Sequence, residues 1–129
     1  MPIEFHCDHG KRLVLAKAYG ILTEEEIFGY QREVWSREEI IGYDEVIDMS
    51  EVEKIVSPRS NRIRDLAALA ASMDSRSTRT KFAIVATDDF AFGLGRMYEA
   101  HRTLNDRSTR EVAVFRTMED ALAWIGRKK

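Results

Sequence analysis

Three aspartates stand where an α/β protein would do chemistry. Asp48 follows the apolar pair Val46-Ile47, and Asp88 and Asp89 follow the run Phe82-Ala83-Ile84-Val85-Ala86. If these runs are parallel strands, the carboxylates lie at the carboxyl edge of a sheet, where open α/β folds place ligand crevices. Converging there, they could hold Mg²⁺ through oxygen ligands or serve as a phosphoacceptor. The plainer reading is a pair of helix caps and a loop anchor, because aspartate is a preferred cap. Just beyond lies Gly93-Leu94-Gly95-Arg96. It lacks the third glycine of a dinucleotide fingerprint and the lysine of a P-loop, and the two acids ahead of it repel phosphate. Close packing of a helix on a sheet explains the glycines better. Around them Phe90, Phe92, Met97 and Tyr98 gather aromatic surface. With Arg96, Phe90, Phe92 and Tyr98 are the candidate contacts for a small apolar ligand. Ordinary core or a dimer surface would use the same residue types.

The densest set of metal-ligand types is His6-Cys7-Asp8-His9. Strand alternation sends His6 and Cys7 to opposite faces, and no second cluster completes a closed site. No metal site and no cofactor are expected. His101 has no neighbouring base or nucleophile, and an acyl-transfer G-x-S-x-G is absent. The reading is therefore of a protein that is not an enzyme. Arg59, Arg62, Arg64, Arg76 and Arg79 form the one basic stretch. It has no interleaved aromatics, and the pI is 5.9, so nucleic acid is not expected as a partner.

The elements that must position these residues follow from pattern. Ile3, Phe5 and Cys7 alternate with polar residues before Asp8-His9-Gly10, which reads as a hairpin. The second strand runs from Arg12 to about Tyr19, apolar on both faces, and ends at Gly20. Thr23-Glu24-Glu25-Glu26 is a capping box, with Leu22 and Ile27 at the staple positions. Its helix reaches about Ser36. A third strand spans Ile40 to Met49. Ser57-Pro58 suits a helix start, with Ile63, Leu66, Ala67, Ala70 and Met73 as the apolar stripe. A polar loop, residues 74–80, leads to the buried strand 82–86 and a helix to about Leu104. Val112–Phe115 is the last strand. Thr117 and Gly126 bracket the last helix.

The order β-β-α-β-α-β-α-β-α predicts an α/β fold: one domain over residues 1–129, with a four- or five-stranded mixed sheet, antiparallel in the hairpin and otherwise mostly parallel. A chain of 129 residues can bury a core without staples. Its lone cysteine permits no internal disulfide and suits a reducing compartment. No signal-peptide pattern or membrane-length apolar run is present, so the expected location is cytoplasmic. Residues 1–56 carry 13 acids and 6 bases, whereas residues 57–129 carry 9 acids and 14 bases. Interspersed in this way, the charges read as two solvated faces.

Val46–Val52, Phe82–Asp88, Gly93–Glu99 and Val112–Ile125 together resemble the SpoIIAA-like family, which is related to STAS domains and to the CRAL-TRIO lipid-binding fold. The resemblance covers nearly the whole chain and implies a mixed sheet with helices around it. It also implies a regulatory or protein-interaction module, with an unknown protein partner and a homodimeric state. STAS antagonists are switched by phosphorylation of a serine in an Asp-Ser-Ser-Gly-like motif at a helix start. Here the corresponding Val56-Ser57-Pro58-Arg59-Ser60 lacks the acid and the glycine. Ser57 and Ser60 match the place but not the pattern, and Ser57 reads first as a helix cap. The CRAL-TRIO kinship adds the alternative of a lipid or other small apolar ligand.

Overall fold

In the computed structural model, residues 3–35, 37–56, 60–73, 80–104 and 110–126 are described. Alternation sets the first two strands. Ile3, Phe5 and Cys7 of β1 (Ile3–Asp8) face inward, and β1 pairs antiparallel with β2 (Leu13–Thr23) from Ile3–Ala18 to Asp8–Leu13. The sheet is completed by β3 (Asp44–Val56), β4 (Thr80–Val85) and β5 (Arg110–Phe115), all parallel to β2, in the order β1-β2-β3-β4-β5. The mixed sheet therefore has five strands.

Between the parallel strands run α1 (Glu24–Val34), α2 (Ser60–Met73) and α3 (Asp89–Leu104), and α4 (Met118–Ile125) follows β5. Each crossover steps to the next strand in one direction, so crossovers of a single hand place their helices on one face. The cores agree with this. Phe28, Tyr30 and Val34 of α1, Ala67 and Ala70 of α2, and Ala91 and Tyr98 of α3 pack with Val14, Ala16, Ile47, Phe82, Ile84 and Val114. Leu13, Val46, Ala83 and Val85 point the other way, onto Ala121 of α4. The interior strand β4 is buried along its whole length.

Three expected strand ends are corrected, one in β2 and two in β3. β2 does not stop at Gly20 but continues to Thr23, because Gly20 takes φ +69° and the pairing shifts register around it instead of breaking. β3 begins at Asp44 and runs on to Val56, with Tyr19–Thr23 pairing against Glu51–Val56. Ile40 belongs to a short 3₁₀ turn, Glu38–Ile40, ahead of the strand. The proposed helix start at Ser57-Pro58 lies outside the described residues, as do the arginines 59, 76 and 79.

The capping box forms as read. Glu26 N–H donates to Thr23 Oγ1 (3.2 Å), and Thr23 N–H donates to Glu26 Oε1 (3.0 Å). Thr23→Ala is expected to lower stability by about 1 kcal/mol, measured by urea denaturation.

Candidate functional site

β3 carries a glutamate where its neighbours are apolar. Glu45 shares the helix-facing side with Ile47 and is fully buried. Such a carboxylate survives only if its oxygens are satisfied, and three elements converge to do so. Tyr30 Oη of α1 donates to Oε2 (2.8 Å), and Trp35 Nε1 at the helix end donates to Oε1 (2.8 Å). The Arg110 guanidinium of β5 reaches Oε1 at 3.3 Å. Arg110 also donates to the Tyr43 carbonyl (3.0 Å) and to Thr80 Oγ1 (2.8 Å), while its plane lies over Trp35 and Phe82, 5.4 Å from each centroid.

Burial pushes the Glu45 carboxyl up, and the Arg110 guanidinium and the hydrogen-bond donors pull against it. Burial, and then the Glu45 charge, push the Tyr30 phenol well above its ordinary range. A carboxyl raised in the folded state binds its proton more tightly there than in the unfolded chain. Its contribution is therefore fully present below the unfolded value and is lost as pH rises through the folded one. Stability measured between pH 4 and pH 8 should fall with pH more steeply in the wild type than in Glu45→Gln. Urea melts of the two proteins across that range read the difference.

Beside this network, under α1 and α3, the structure holds a cavity of about 110 Å³. Ile3, Leu22, Ile47, Phe82 and Ile84 line it from the sheet, Ile27, Tyr30, Gln31 and Trp35 from α1 and its end, and Ala91, Leu94, Gly95 and Tyr98 from α3. Trp35, Phe82 and Tyr98 form a chain of edge contacts along the wall (5.4 and 6.1 Å between centroids). Gln31 is 3% exposed, and its Oε1 has no hydrogen-bond partner among the described residues.

The residues singled out in sequence are dispersed. Of the aromatic set, Tyr98 lines the cavity, with its hydroxyl accepting from Arg102 (2.8 Å). Phe92 is half-buried under the Arg116 guanidinium, 4.0 Å from its centroid, and Phe90 is 59% exposed. Arg96 is exposed and pairs with Glu99 at 3.4 Å. The acids serve local geometry: Asp88 Oδ1 accepts from Ala91 N–H, Asp48 Oδ1 accepts from Ser50 N–H, and Asp89 pairs with Arg116. Ser57 lies outside the described residues, and Ser60 opens α2. Among the described residues no group of three or more His, Cys, Asp and Glu could hold a metal ion, and no helix is long and apolar enough to cross a membrane.

No family model matches the chain, and no curated protein matches it. A solved structure is similar over 95% of this chain and 93% of its own, with a TM-score of 0.61 and 17% identity. It is an uncharacterized protein of the DUF3478 family with a SpoIIAA-like fold, from Shewanella loihica PV-4. This chain has a SpoIIAA-like fold.

In this SpoIIAA-like setting, Glu45, Arg110 and Gln31 are residues that sequence reasoning missed. Glu45 left a weak signal, an acid beside Asp44 at the start of β3 and just ahead of the apolar Val46-Ile47. Arg110, ahead of Val112-Ala113-Val114, left a weaker one. Gln31 left none, since a glutamine in a helix reads as surface. The likeness to the Shewanella protein says nothing of a CRAL-TRIO relationship.

Proposed function

We propose that this protein is a non-catalytic binding module that takes up a small apolar molecule between its sheet and α1–α3. The observation that supports this reading is the wall of the cavity: aliphatic and aromatic side chains from both layers, with the nearby charged groups bound to one another. General acid–base or nucleophilic catalysis needs a group free to reach substrate. Here Tyr30, Glu45 and Arg110 are committed to the fold.

The test is a titration of ¹⁵N-labelled protein with toluene. Saturable amide shifts centred on Leu22, Ile84, Ala91 and Tyr98 are expected, together with a rise in melting temperature. Unchanged spectra up to the solubility limit would remove the reading.

A second reading, a purely protein-interaction module that works as a homodimer, draws on the SpoIIAA-like fold and on Phe90, an exposed aromatic at the start of α3. Sedimentation of wild type and Phe90→Ser separates the two: a dimer lost in the variant, with no response to toluene, favours this second reading.

A further inference from the structure

We propose that Gln31 is the polar determinant of the cavity and that its Oε1 accepts a hydrogen bond from the ligand, a neutral molecule about one ring in size that carries a single donor, of the phenol class. This rests on the reading of the cavity as a binding site and names the chemistry of its occupant.

Four observations converge. Gln31 lies in the wall and is almost wholly buried, and Oε1 has no partner among the described residues. A buried oxygen in that state destabilises the fold, whereas an apolar side chain of the same shape would not. Its retention is explained if a bound molecule supplies the donor. The other polar groups on the wall are engaged: Tyr30 and Trp35 donate to Glu45, and the Tyr98 hydroxyl accepts from Arg102.

Charge narrows the class. Among the described lining residues there is no lysine, arginine or histidine, and the ionisable lining groups are Glu24, Tyr30 and Tyr98. A carboxylate or phosphate entering would lose its hydration without gaining a cation. Glu24, at the first turn of α1, is already partnered, so an ammonium finds no spare anion. Size narrows it further. About 110 Å³ is somewhat less than the ~150 Å³ of an apolar cavity that admits benzene, so a single ring is near the limit.

The experiment measures dissociation constants of phenol, toluene, anisole and benzoate for the wild-type chain and for Gln31→Met. Toluene and anisole have a comparable body, and anisole accepts but does not donate. Phenol is expected to weaken about tenfold in Gln31→Met, with toluene and anisole changed less than about twofold and benzoate binding neither protein. The free variant should melt a few degrees above wild type, because it loses a buried oxygen without a partner.

Equal weakening of phenol and toluene, or no change in either, overturns the proposal. So does anisole following phenol, which would mean that Gln31 presents its nitrogen. Should Gln31→Met not fold, the wild-type order decides: phenol tighter than anisole supports the proposal, and the reverse sinks it. Failure of every uncharged ring to bind wild type is a different result, since it removes the cavity reading itself.

Discussion

Arg110→Met is expected to cost about 3–4 kcal/mol of folding stability at pH 7, the cost of leaving a buried charge without its partner. The substitution keeps the length and apolar stem of the side chain over Trp35 and Phe82, so most of the loss is electrostatic. Glu45 would keep its donors from Tyr30 and Trp35 but lose the cation, and its carboxyl would rise further. The sign of the pH dependence follows. As pH falls and Glu45 protonates, the penalty of the variant shrinks, so wild type and Arg110→Met converge toward pH 4. Adding Glu45→Gln should recover at least half of the loss at pH 7, since the glutamine oxygen still accepts from Trp35 and no charge remains buried. A double-mutant cycle by urea denaturation at pH 4.5 and pH 7.5 measures both effects.

Phe82→Ala should be at least as damaging, at about 4 kcal/mol and a fall of roughly 15 °C in melting temperature. Phe82 stands between the two halves of the site. It meets Trp35 and Tyr98 edge-on, lies under the Arg110 guanidinium and lines the cavity. Truncation therefore removes two aromatic contacts and a cation–π contact, and merges its own volume with the existing space. The enlarged cavity gives the prediction a second readout. A two-ring molecule such as naphthalene, too large for the wild type, should bind the variant and restore part of the lost melting temperature. Calorimetry with and without naphthalene reads both. A small effect on stability, or no rescue, would mean that the side chains collapse into the space and that the cavity is not a fixed feature.

What the sequence revealed was what neighbouring residues decide together. The capping box at Thr23 and Glu26 involves groups three residues apart and forms as read. Alternation in β1 and β2, the apolar run of β4 and the threonine cap of α4 are equally local. The extension of β2 and β3 is not, because it pairs Tyr19–Thr23 with Glu51–Val56 across the chain. Its side chains include exposed Ile21, Glu51 and Glu53, so no apolar rhythm marks it. The site fails to show for the same reason. Glu45 and Arg110 are 65 residues apart, and each alone reads as surface charge. Only the register that sets Glu45 beside Phe82, and Thr80 beside Arg110, joins them.

The aromatic group in α3 illustrates the other kind of error. Phe90, Phe92 and Tyr98 are close in sequence but not on one helix face. Ala91, Gly95 and Tyr98 have the i, i+4, i+7 spacing of a single stripe, and it is that stripe that faces the cavity. Phe90 and Phe92 flank it by one residue on either side, which turns one to solvent and the other under Arg116. Gly95 is fixed by contact: a Cβ there would stand 3.2 Å from both methyls of Val114, so the small residue brings α3 down onto β5.

The most direct test of the cavity as a binding site is a high-resolution crystal structure of the protein grown with phenol. The expected result is one ring between Phe82, Tyr98 and Leu22, with its hydroxyl about 3 Å from Gln31 Oε1. A cavity closed by its own side chains, or phenol bound only elsewhere on the molecule, would contradict it.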